Sequence, residues 1–197
     1  MRRRFALGLL LIGAVVGLQG WQVDFQSEIA TFESRLATYV EMHRRLEGPI
    51  PPLAVTSDMD EVRRLMEALR VRIRAERGNQ GQGFLLTPAM VSVLRTRISS
   101  CLTIEQIEET MADVAEHTPP NMPQPRVNEP LPDDAPFVMV PPEALRTLPP
   151  LPPELRYVVL SGALIIWDHH ADLIVDIAPG VFDAATYRST AQPVRAR

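Results

Sequence analysis

Leu155-Arg156-Tyr157-Val158-Val159-Leu160-Ser161-Gly162-Ala163-Leu164-Ile165-Ile166-Trp167-Asp168-His169-His170-Ala171-Asp172-Leu173-Ile174-Val175-Asp176-Ile177 is the stretch on which the fold class turns. Three short runs rich in Val, Ile, Leu and Tyr, bounded by turn residues, read as strands over 155–160, 163–168 and 173–177. Ser161-Gly162 suits a two-residue hairpin turn, and His169 to Asp172 a longer one. The expected product is a three-stranded antiparallel meander. A sheet of that size is too small to stand alone, so it should pack on helices.

Upstream lies a proline-rich connector, expected over 118–153. Thirteen of the chain's 19 prolines fall between Pro119 and Pro153. Proline lacks the N–H that helix interiors and central strands require, so extended or polyproline-like backbone is expected. Pro142 to Leu148 can form a helical turn or two. The apolar Phe137, Val138, Met139 and Val140 favour a strap across the helices over a recognition ligand.

Residues 21–117 read as about four helices. From Gln22 to Glu47, Phe25, Ile29, Phe32, Leu36, Tyr39, His43 and Leu46 recur at spacings of four and three, a narrow seam for another helix. Gly48-Pro49 stops this helix. His43 on the seam reads as an interfacial histidine, one ring nitrogen wet, with Tyr39 and Glu47 flanking it and no metal partner expected. Ser57 or Asp58 caps a second helix, with Val62, Leu65, Met66, Leu69 and Ile73 inward. Its six arginines (Arg63, Arg64, Arg70, Arg72, Arg74 and Arg77) read as a solvated face, the alternative being contact with anionic lipid or polymer. Thr87-Pro88 opens a third helix, and Thr103 with Gln106 in a capping box opens a fourth. The glycines between Gly78 and Gly83 precede no helix in a phosphate-cradling pattern. The fold class expected is therefore α+β: a mainly helical, bundle-like core with a small meander over 154–182 and a frayed tail over 183–197.

The N-terminus sets the compartment. Arg2, Arg3 and Arg4 precede Phe5–Leu18, an uncharged run of fourteen residues. As a helix it reaches about 21 Å, short of the ~30 Å hydrocarbon core. Residues 1–20 are thus expected to be a signal peptide, with an uncleaved anchor as the alternative. Position 21 is Trp21 rather than cysteine, so no lipidation is expected. The protein is expected to be exported, periplasmic or extracellular, and to meet the membrane only through this segment.

Composition narrows the function classes. The formal charge is −4, and because Arg2, Arg3 and Arg4 lie in the leader, residues 21–197 carry −7. That leaves no basic stripe for nucleic acid. Cys101 is the only cysteine, so an intramolecular disulfide is impossible, and a lone thiol beside Leu102 reads as packing. No acid–base pair, nucleophile set or cofactor loop stands out. The expectation is a non-enzymatic binding or structural protein of the cell envelope, without cofactor, acting on an envelope protein partner. The first-helix seam can be buried within the chain or in a homo-oligomer.

Asp168, His169, His170 and Asp172 are the candidate metal ligands: two carboxylates and two imidazoles in five residues suit a transition metal. The alternative reading is an exposed turn, where Asp172 tolerates left-handed backbone. The strand followed by Asp-His-His resembles the DHH phosphoesterases over about seven residues. That resemblance implies metal-assisted phosphoryl transfer. The only other close acidic pair here, Asp58 and Asp60, opens a helix instead of following a strand.

The run Leu148-Pro149-Pro150-Leu151-Pro152-Pro153-Glu154-Leu155-Arg156-Tyr157, with Leu173-Ile174-Val175-Asp176-Ile177, resembles a C-terminal signature of uncharacterised exported bacterial proteins. Tyr39 to Pro49 resembles that group's first-helix end. More distantly, the hairpin resembles that of small periplasmic proteins linked to nickel and cobalt homeostasis. The resemblance implies an exported helix-plus-hairpin fold and brings no activity with it.

Overall fold

The computed structural model describes residues 15–50, 58–132 and 135–191. The signal-peptide expectation for residues 1–14 and the last residues of the expected tail, 192–197, lie outside the described residues. The elements run α1 (Val15–Glu47), α2 (Met59–Arg77), α3 (Pro88–Ser99), α4 (Ile104–His117), β1 (Val138–Met139), α5 (Pro142–Leu145), β2 (Leu155–Leu160), β3 (Ala163–Asp168), β4 (Leu173–Ala178) and α6 (Ala184–Ala191). The class is α+β. No described helix is long and apolar enough to cross a membrane.

Local chemistry starts the helices where the caps stand. The Asp58 carboxylate accepts from the backbone N–H groups of Asp60 and Glu61, and the Thr87 hydroxyl from that of Met90, with Pro88 in the first turn. Thr103 and Gln106 form both halves of a capping box on α4. Such caps satisfy donors that the first helical turn leaves orphaned. α1 differs from the expected Gln22–Glu47: the described helix already runs from Val15, unbroken through the expected signal boundary.

Ser161 and Gly162 both take positive φ, 50° and 75°, the two-residue turn whose twist matches antiparallel strands. Leu160 pairs with Ala163 across it. The sheet has four strands rather than three, in the order β1-β2-β3-β4, because the connector contributes Val138 and Met139 against Val159 and Val158. Between β3 and β4 the register shifts after Ile166, so Val175 is an extra residue and Asp176 stands opposite Ile166. A bulge of this kind turns a side chain to the other face.

Both faces of the sheet are covered, which explains why its strands are apolar almost throughout. Tyr157, Val159, Leu164, Ile166 and Val175 share one core with Phe32, Leu36, Leu69, Ile73, Leu94 and Ile107 of the helices. The helical region and the meander are therefore one packed body, with α1 against α2 and α3. On the opposite face, Val158, Leu160, Ile165, Ile174 and Ile177 pack on Leu131, Met122, Val127 and Ala135 of the connector. The first half of the proline strap thus crosses the sheet, whereas Val140, Ala144 and Leu148 of its second half join the helix-side core, where Arg97 of α3 donates to Thr147 O at 2.7 Å. The first half also pairs with the outer edge of β4: Asn128 N–H donates to Ile174 O at 2.9 Å, and Ile174 N–H to Glu129 O at 2.8 Å. Pairing an edge in this way removes a template for aggregation.

The frayed tail expected from Asp183 is corrected as far as Ala191. Asp183 accepts from Ala185 N–H at 3.0 Å, Arg188 pairs with Glu108 of α4, and the buried Tyr187 donates its hydroxyl to Val181 O. Burial pushes the Tyr187 phenol up to about 12. A phenol stays near 10 in the unfolded chain, so this contribution is whole below pH 10 and is lost as pH rises through 12. At about pH 11 the parent should lose more melting temperature relative to neutral pH than Tyr187→Phe does. Equal losses in a pair of thermal melts would show that α6 is not docked through this side chain.

Candidate metal centre

The solvated-face reading of α2 holds for Arg63, Arg64, Arg72 and Arg74, which are exposed, and is corrected for Arg70 and Arg77, which build the site's surroundings. Arg77 is 4% exposed and donates Nη2 to Val175 O at 2.8 Å, with its guanidinium 5.4 Å from the Tyr39 ring centre. Arg70 reaches the β3–β4 turn, where Nη1 donates to Asp172 O at 2.9 Å and Oδ2 at 3.0 Å. α2 is thereby bolted to β4 and to the turn after β3.

That turn carries the four residues singled out in the sequence, and the structure separates them. Asp172 sits at φ 45°, accepting from Arg70 and, on Oδ1, from Trp167 Nε1 at 3.1 Å. His169 is tied to the end of the proline run: its N–H donates to Glu154 O at 3.1 Å, and its Nε2 lies 2.8 Å from Pro153 O. Asp168 turns inward from β3 and is fully buried. His170 joins a further pair of metal-capable groups, on α1.

Those groups are His43 and Glu47. One helical turn of four residues puts them on the same face, at the C-terminal end of α1. His43 Nε2 is 3.2 Å from Glu47 Oε2, and His170 Nδ1 is 2.8 Å from Glu47 Oε1. One donor atom from each of the three lies within 4.8 Å of the others. The two imidazole rings are 5.6 Å apart.

Behind them stands Asp168. Its Oδ2 accepts from His43 Nδ1 at 2.6 Å and from the Tyr39 hydroxyl at 2.7 Å. Its Oδ1 accepts from the N–H groups of His170 and Ala171 at 3.1 and 3.0 Å. One buried carboxylate therefore holds the His43 ring and shapes the turn that presents His170. A carboxylate on one nitrogen of a histidine fixes the tautomer and aims the other nitrogen outward, the usual support for a metal-ligating imidazole.

The electrostatics follow from burial. Burial alone pushes His43 down, but the hydrogen bond and charge of Asp168, with Glu47 beside it, outweigh that and hold its pKa above the usual value. Burial, then the Asp168 charge, drives the Tyr39 phenol well above its usual value, keeping it neutral and donating. Next to His43, Arg44 Nε pairs with Glu154 Oε1 at 2.6 Å. Burial raises the Glu154 carboxyl, and this bond together with a backbone hydrogen bond and the charges of Arg44 and His43 outweighs it, for a net downward shift.

The wet interfacial histidine expected at position 43 is thus corrected: the side chain is fully buried and both nitrogens have partners. The missed signal was His43-x-x-x-Glu47, an i,i+4 pair on one helix face with an imidazole and a carboxylate. Surface grooves of about 620, 540 and 440 Å³ lie elsewhere, beside α4, beside α5 and in the proline strap, and none is lined by His43, Glu47 or His170. No protein-family model, curated protein or solved structure matches this chain.

Proposed function

We propose that the protein binds a late first-row divalent ion, of the class of zinc, nickel and copper, at His43, Glu47 and His170. The observation that carries the reading is the convergence of the three donors within 4.8 Å, with Asp168 bonded to the far nitrogen of His43. Two imidazoles and one carboxylate suit these ions better than calcium or magnesium, which prefer all-oxygen sites. Bonds of about 2.0–2.1 Å in a tetrahedron put ligand atoms roughly 3.3 Å apart. The 3.2 and 2.8 Å separations, one to each Glu47 oxygen, are within a few tenths of an ångström of this, and the three donors, within 4.8 Å of one another, would draw together on an ion.

The role proposed is binding rather than catalysis, since the donors line none of the grooves above that would seat an organic substrate. With residues 1–20 acting as an export signal, this binding takes place outside the cytoplasm.

Calorimetric titration of the full chain with zinc, then nickel, tests the reading. One equivalent should bind. Glu47→Gln and His170→Ala should each weaken binding by about ten-fold or more, while His169→Ala and Asp172→Asn leave it unchanged. If His170→Ala binds as tightly as the parent, the site is elsewhere and the reading fails.

A further inference from the structure

The three donors differ in how firmly they are held. The His43 side chain is fully buried and anchored by a fully buried Asp168. The side chains of Glu47 and His170 are 39% and 37% exposed. Glu47 is the last residue of α1, and His170 lies on the turn between β3 and β4. Three protein donors, those found among the described residues, leave one position of a four-coordinate ion open, whereas structural zinc sites close all four.

Glu47 spans the two rings, one carboxylate oxygen to each. The three donors can therefore satisfy one another through the two Glu47 oxygens.

We infer that the ion is a cargo, passed from this site to a chelating acceptor with nitrogen or oxygen donors by stepwise ligand exchange. This rests on the proposed function. An acceptor donor first takes the open position. Further acceptor donors then replace Glu47 and His170, the exposed pair, and His43 Nε2 lets go last. Each protein–metal bond that breaks is matched by an acceptor–metal bond that forms, and the ion keeps its oxidation state. Once the ion has gone, Glu47 swings back across the two rings.

Stopped-flow transfer of zinc from the loaded full-length protein to pyridylazoresorcinol, whose zinc complex absorbs visible light, tests this. The observed rate should rise in proportion to chelator concentration over a ten-fold range, because the acceptor enters before the protein lets go. His170→Ala should speed transfer by about ten-fold or more at fixed chelator, with circular dichroism confirming that the variant is folded. The metal-free parent should keep its spectrum and melt within a few degrees of the loaded form at equal concentrations of protein and zinc. A rate independent of chelator concentration, or unfolding on metal removal, would overturn the cargo role while leaving binding intact. Absence of binding in the calorimeter would instead remove the proposed function itself.

Discussion

Asp168→Ala is expected to cost about 3–5 kcal/mol of stability, because a buried, multiply bonded carboxylate is removed and its partners stay behind. The side chain accepts four hydrogen bonds: from the Tyr39 hydroxyl, from His43 Nδ1, and from the N–H groups of His170 and Ala171. Truncation strands the His43 ring and the Tyr39 hydroxyl in the core between α1 and the sheet, and frees the turn that carries His170. For a chain of this size, such a loss lowers the melting temperature by roughly 6–20 °C. The same variant removes the charge that helps to hold the Tyr39 phenol so high, so its alkaline titration should move down. Chemical denaturation is the decisive measurement. A loss under about 1 kcal/mol would mean that the buried network is replaceable by simple packing.

Asp176→Ala is expected to act on a different part of the core with a loss of about 3 kcal/mol or more. The bulge in β4 turns this fully buried carboxylate toward the helices. There Oδ1 accepts from Gly83 N–H and Ile177 N–H, both at 2.8 Å. Oδ2 accepts from Leu85 N–H at 2.7 Å and Leu86 N–H at 2.9 Å. The glycine-containing loop between α2 and α3 is thus threaded onto one side chain, which places Leu85 and Leu86 in the core. Native-state hydrogen exchange should show the Gly83, Leu85 and Leu86 amides losing protection far beyond the global change. Protection that falls uniformly across the chain would argue that the carboxylate has no special hold on this loop. Asp168 and Asp176 share no hydrogen-bond partner, but both charges act on the buried Arg77, so the two losses should depart from additivity by about 0.5 kcal/mol or more in the double variant.

Much of the fold was legible because its signals act over a few residues. Asp58, Thr87 and Thr103 mark helix starts by offering an oxygen to N–H groups two or three positions on. Ser161-Gly162 marks the hairpin by its tolerance of positive φ, and Asp172 does the same in the following turn. The connector's fourth strand was less legible: two residues, Val138 and Met139, are too short a run to show a period. α6 was missed because Ala184–Ala191 carries little apolar periodicity of its own and is held by Tyr187 and the Arg188–Glu108 pair. The metal-capable site was half legible. Asp168 and His170 were named, but as members of one local cluster, and a turn of five residues cannot aim all its side chains inward.

The class, the helix starts, the strand runs and the hairpin follow from residues close together along the chain, as does the chemical oddity of the turn after β3. Long-range packing sets the rest: the first half of the proline strap covers the sheet, Arg70 and Arg77 leave the solvated face, and Asp168, Glu47, His43 and His170 meet. The pairs that make the site span 125 residues for His43 with Asp168 and 123 for Glu47 with His170. Caps and turns are fixed by neighbours along the chain. Contacts at such separations depend on how every intervening element packs, and that packing is set by the shared core of helices and sheet.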